Sequence, residues 1–249
     1  MFMTRSLSLL SAILVLSGCG ALKVRDKNPA EVSKIKSVAV VALSVVQPEP
    51  KSLSLNIGTG KTEADSNGGK FNQASDHVEL IYTDLSTALK KNLKWKVVDR
   101  TTMVTNAGYK DAFEKTMKGW QNKMPPSANY IQYNPNSVMD FDSPRILGPE
   151  GREALMKALK VDAIVVAQVN VHLTGTSVMG IGKQYPQSVL NLRVFARGQE
   201  NPVWFDGNIE GEESKESVGM TGLFDRDLLD KLGRQSAGTA FAKIGTEKL

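Results

Sequence analysis

The run Ser37-Val-Ala-Val-Val-Ala-Leu43, inside 35–46, has no polar face, the pattern of a strand covered from both sides. Residues 161–167 repeat that pattern and then switch to alternation, with Gln168, Asn170, His172 and Thr174 facing one way and Val169, Val171 and Leu173 the other. Residues 188–197 and 203–210 keep the period of two, and 95–100 reads as a short strand. Helical spacing replaces alternation elsewhere. Val78, Ile81, Leu85, Ala88 and Leu89 follow a capping Ser75 or Asp76 and stop at Asn92. Further helices are predicted near 111–121, over 151–160 and over about 223–244. The stretches 47–75 and 100–149 are rich in Pro, Gly and polar residues and read as long irregular insertions, the second interrupted by the helix near 111–121. Strand–helix–strand units followed by strands with short turns predict an α/β (α+β) fold: a single mixed β-sheet of about five strands with helices packed on it.

The first apolar run is of another kind. Leu7–Leu16 follows Arg5 and is ten residues long, about 15 Å of helix, half of a bilayer core. Leu16-Ser17-Gly18-Cys19 then resembles the lipobox of bacterial lipoproteins, in which the cysteine sulfur takes a diacylglycerol and cleavage occurs just before it. The resemblance implies a signal peptide at 1–18, lipidation (palmitate-type acylation) at Cys19 and a stable membrane anchor, since two or three acyl chains hold far better than one. Gly20 stands where inner-membrane retention typically uses Asp, which implies an outer-membrane, periplasm-facing location. Residues 19–34 read as a polar tether and 35–249 as a single domain.

Composition narrows the chemistry. Cys19 is the only cysteine, so no internal disulfide or cysteine zinc site is possible. The 31 basic and 26 acidic residues are interleaved, giving +5, or 30 − 26 = +4 once residues 1–18 and their Arg5 are removed. Nothing clusters as a nucleic-acid groove would require. Gly58-Thr59-Gly60-Lys61-Thr62 suggests a phosphate loop but lacks both the leading glycine, position 55 being Leu, and the following helix. His77 and His172 have no metal-ligand spacing and read as surface histidines; Asp99 and Arg100 read as a strand-end ion pair. No nucleophile, base and orienting group assemble, so the expectation is a chain that is not an enzyme and takes no cofactor or metal.

Val97-Val98-Asp99-Arg100 and Leu159-Lys160-Val161-Asp162-Ala163-Ile164-Val165 resemble motifs of a group of bacterial envelope proteins. These include the curli-secretion lipoprotein, the amino-terminal domain of the Tol-system translocation protein and lipoprotein activators of penicillin-binding proteins. The resemblance spans about residues 35–245, with Lys160 in place of the usual Gly and Ala167 where a Gly often closes the strand. The resemblance carries no particular activity with it; together with the anchor and the two long loops bearing aromatics and prolines, it leads to the expectation of a lipid-anchored, non-enzymatic binding or assembly module whose partner is an envelope protein or the peptidoglycan machinery. The alternatives are a subunit of a curli-type secretion pore and a small-molecule carrier or hydrolase.

With the three strands near 36–46, 95–99 and 161–174 parallel, the long loops gather at their carboxyl ends, where open α/β sheets bind. A tether entering the first strand at its amino end would turn those loops away from the membrane. Tyr130, Tyr133 and Phe141 are the candidate partner-binding residues, because aromatics bury much area at modest entropy cost. On this reading, deleting 126–143 should leave the thermal midpoint nearly unchanged.

Overall fold

The computed structural model describes residues 25–48, 76–117, 130–175, 182–220 and 223–246. The lipidation candidate Cys19, the 58–62 loop and most of the 47–75 insertion lie outside these residues. At the centre is the expected parallel pair: β2 (Ser37–Pro48) beside β5 (Ala163–Thr174), with Val38 opposite Ala163 and Val45 opposite Val169. β3 (Lys96–Val97) runs parallel on the other side of β2. β6 (Lys183–Ala196) returns antiparallel to β5, and β7 (Trp204–Glu210) is antiparallel to β6.

The α/β class and the mixed sheet are as predicted, but the described sheet has nine strands, in the order β1-β7-β6-β5-β2-β3 with short additions. The four unforeseen strands are β1 (Arg25–Lys27), β4 (Tyr130–Tyr133), β8 (Gly219–Met220) and β9 (Leu223–Phe224). Each is four residues or fewer, too short to show a period. β1 pairs antiparallel with β7, β4 pairs antiparallel with the second half of β2, and β8 joins β6 to β9. β1 therefore lies inside the segment expected to be tether, as does α1 (Pro29–Val32), capped by Asn28. Because β1 runs opposite to β2, the chain reaches the sheet from the carboxyl end of the parallel strands, not from their amino end as expected.

The described parts of the 100–149 stretch, 100–117 and 130–149, are likewise built mostly of regular elements. Asp99 caps α3 (Arg100–Thr105) by accepting from the Thr101 and Thr102 N–H groups. Arg100 pairs with Glu79 rather than with Asp99, so the expected strand-end ion pair is absent. α4 (Ala107–Met117), β4, α5 (Ser143–Ile146) and α6 (Gly148–Leu159) follow.

Two helices, α2 (Asp76–Leu93) and α7 (Arg226–Ala242), cover one face. Gly233 of α7 brings its backbone against Val171, and the Ser188 hydroxyl donates to the Gly233 carbonyl at 2.8 Å. α6 covers part of the other face, its Arg152 stacking 4.4 Å over Phe195. The first five residues of β5 are consequently all buried, whereas Gln168, Asn170 and His172 beyond them are half-buried or exposed between buried Val169 and Val171. The switch to alternation in the sequence marks where the second helical layer stops.

Two residues of the 159–165 motif acquire physical roles. Lys160 closes α6 with φ 55° and ψ 44°, and the Val161 N–H reaches back to the Met156 carbonyl at 3.1 Å. A side chain in that left-handed conformation costs energy that glycine avoids. Lys160→Gly is expected to raise stability by about 0.5–1 kcal/mol, net of the glycine's extra freedom when unfolded; a urea titration checks it.

Asp162 ties the start of β5 to the start of β2. Its carboxylate accepts from the Lys36 N–H at 3.0 Å, the Ser37 N–H at 2.8 Å and the Ser37 hydroxyl at 2.9 Å. Partial burial pushes this carboxyl up, but the three bonds and nearby Arg197 together outweigh burial and hold it below the usual range. A depressed carboxyl stabilises fully above its unfolded value near ~4 and loses that contribution as pH falls through the lower folded value. Asp162→Asn should cost about 1–2 kcal/mol at neutral pH. The deficit should narrow as pH drops below ~4, when the parent loses the same bonds; unfolding midpoints of both proteins between neutral and acid pH read this directly.

Candidate functional site

α2 and α7 both begin at the carboxyl edge of the parallel strands and run side by side in the same direction. Three cross-links fix this register. Near the amino ends His77 Nδ1 lies 2.9 Å from Asp230 Oδ2, while Gln47 of β2 donates from Nε2 to Asp230 Oδ1 at 2.8 Å. In the middle, Arg234 donates to both Asp84 oxygens at 2.7 and 3.2 Å. Those bonds raise the guanidinium's pKa further. At the carboxyl ends Asn92 Nδ2 donates to the Phe241 carbonyl at 3.1 Å.

Between these ties the helices leave an open groove of about 810 Å³. Phe241, Ala88, Ala242 and Leu80 supply its apolar surface, and Leu80 is 42% exposed. Three acids (Asp84, Asp227, Asp230) face three bases (Lys91, Lys231, Arg234), so the walls are charged but balanced. Gly238 opens the groove further, because a Cβ there would meet nothing within 4 Å. The lining carries no serine or cysteine nucleophile, and among the described residues no cluster of three His, Cys, Asp or Glu could hold a metal. Such a surface can bind an amphipathic segment.

A second polar cluster lies on the opposite face of the sheet. Buried Asp140 accepts from the Ser44 hydroxyl at 3.1 Å, from Gln132 and from the Asp142 N–H at 2.8 Å. Burial nevertheless pushes its carboxyl up. The single Ser44 hydroxyl proton is shared between Asp140 and Asn134 Oδ1, and its oxygen accepts from the Phe141 N–H, so the cluster holds β2, β4 and the 139–142 turn together.

No protein-family model and no curated protein matches this chain.

The aromatic residues proposed for contacts are separated by the fold. Tyr130 is 38% exposed at the start of β4, but Tyr133 is 2% exposed and Phe141 7%. Tyr133 packs edge-on against His77 at 6.1 Å with Arg226 above its ring, and Phe141 lies 4.3 Å beneath Arg193. Alternation explains the outcome: β4 is a sheet strand, so Ile131 and Tyr133 turn inward beside β2. His77 is not the surface histidine expected, since its side chain is only 10% exposed, whereas His172 is exposed as predicted. The residues missed are Gln47, Asp84, Asp230 and Arg234. Their signal in the sequence was the charged row at 227, 230, 231 and 234, spaced three and four apart along the face next to the apolar one.

Proposed function

We propose that this chain is a lipid-anchored envelope lipoprotein acting as a non-enzymatic binding module, and that the α2–α7 groove seats an amphipathic helix of an envelope protein. The groove is the observation that carries the binding half: α2 and α7 run side by side, cross-linked at three levels, and leave an open groove lined by Leu80, Ala88, Phe241 and Ala242 and by charges of both signs. The anchor half is supported by Leu16-Ser17-Gly18-Cys19 and the apolar run before it. No helix among the described residues is long and apolar enough to cross a membrane. The resemblance to the envelope proteins named above is consistent with this reading.

A pore subunit would need two membrane hairpins. One of the two available insertions, 100–149, instead holds α3, α4, β4 and α5 against the sheet. A small-molecule carrier is the second reading, favoured by a groove volume within the usual ~300–1,000 Å³ of ligand sites.

Gly238→Trp tests the groove because the new ring enters open space. A photo-crosslinker at Leu80 in the intact envelope should capture a protein, and Gly238→Trp should abolish capture while the unfolding midpoint stays within ~1 kcal/mol. Undiminished capture would overturn the site. A small molecule retained in native mass spectra, and displaced by the tryptophan, would transfer the groove to the carrier reading.

A further inference from the structure

We propose that the β1–β7 edge of the sheet faces the bilayer, so that lipid headgroups are its partner surface and the strands lie along the membrane plane. The inference deepens the lipid-anchor reading and rests on it. From Cys19 to Arg25 there are six Cα steps, which span at most ~21 Å however they are arranged. Arg25 is not the end of a loose tether. It is the first residue of β1, opposite Asp206, with its Nε 3.1 Å from Asp206 Oδ1 and its Nη2 donating to the Asn208 carbonyl at 3.1 Å. The Asn28 N–H then bonds the Val203 carbonyl at 2.7 Å, and the Lys27 ammonium sits 4.4 Å over the Trp204 ring. The acylated cysteine is thereby leashed to one rigid edge of the domain.

The opposite edge lies far off. β3 is five strand intervals from β1, about 24 Å at the usual spacing. α3, which follows β3, lies on that side. A leash this short holds the β1 edge within ~21 Å of the anchored cysteine, while the β3 edge stands a full sheet width beyond it. The edge strand, three residues long and charged at every position, also suits a surface that must not pair with another sheet. Edge-on seating leaves the α2–α7 face pointing sideways, open to a partner moving along the membrane.

The experiment uses the full-length acylated protein in phosphatidylglycerol–phosphatidylethanolamine vesicles carrying an acceptor dye on a headgroup. Acylation occupies Cys19, so a donor dye can be placed on Asn208→Cys or on Thr102→Cys, both exposed and at opposite edges. Energy transfer from position 208 should exceed that from 102 by about twofold, given the ~24 Å of sheet between the edges. Equal transfer, or more from 102, with a diacylglyceryl group confirmed on Cys19 by mass spectrometry overturns the orientation alone. An unmodified Cys19 by the same mass measurement overturns the anchor, and the orientation with it.

Discussion

Replacing Gly211 by alanine should cost about 2–3 kcal/mol of stability, or about 5–10 °C in thermal midpoint for a chain of this size. A Cβ at 211 would stand 2.1 Å from the Ser236 carbonyl oxygen and 2.8 Å from its carbon, so the atoms in the way belong to the backbone of α7. That backbone is pinned where it lies. Ser236 Oγ accepts from the Ser188 N–H at 2.8 Å and donates to the Glu212 carbonyl at 2.7 Å, and the Glu212 N–H donates to Thr239 at 2.6 Å. Relief requires α7 to move off β6, breaking these bonds and the Ser188–Gly233 bond together. The same displacement moves one wall of the groove. Gly211→Ala should therefore weaken crosslinking at Leu80 as well as stability, whereas Gly238→Trp weakens crosslinking alone. Calorimetry and the crosslink assay, run on both variants, check the contrast.

The second large effect belongs to Tyr109. Its hydroxyl lies 3.0 Å from the Val41 carbonyl and 3.1 Å from that of Ser137, and it accepts from the Met139 N–H at 3.1 Å. Val41 sits at a break in the β2–β5 register, where the pairing shifts between Val40 and Ala42. The tyrosine, almost wholly buried, satisfies the backbone at that break and ties the 137–139 turn to it. Tyr109→Phe preserves the ring and creates no large cavity, so the expected loss of about 2–3 kcal/mol is the cost of buried backbone groups left short of partners. A denaturant midpoint that falls with an unchanged slope would show this; a shift under ~0.5 kcal/mol would mean that water replaces the hydroxyl.

The same contacts reverse the expectation for the 126–143 deletion. Residues 130–143 include buried Ile131, Tyr133, Val138, Met139 and Phe141, so removing them strips one flank of β2 and should unfold the domain rather than leave it intact.

The long elements were legible because each has enough residues to show a period. The apolar β2, the two-part β5 and the helical spacing of α2 all appear within one or two residues of where they were predicted. What stayed hidden is held by distant partners. β1 is Arg-Asp-Lys, without an apolar position, and is a strand because Arg25 meets Asp206, 181 residues away. β4 sits in a proline-rich stretch and is a strand because β2 has an open flank there. α3 did leave a local sign, a capping aspartate at 99, which its position at a strand end obscured. Beyond the charged row along α7, the groove left no sign in the sequence: its walls are some 150 residues apart, and its openness owes much to Gly238, Ala88 and Ala242 lacking bulk.

The pairing of β2 with β5 also sets the order in which the domain can assemble. Ser37 and Asp162, bonded at the foot of the two strands, are 125 residues apart. β5, β6 and β7 are antiparallel neighbours joined by short connections and can form early, whereas β2 must wait for a distant segment before it acquires its central partner. In a chain made from its amino terminus, Val38–Val46 is among the first segments to appear and among the last to be covered. Eight of those nine residues are Val, Ala or Leu and none is proline, which is also the composition of an aggregating segment. Yield on refolding should therefore fall steeply with protein concentration, and the strand that holds the finished sheet together should be the one that clumps the unfinished chain.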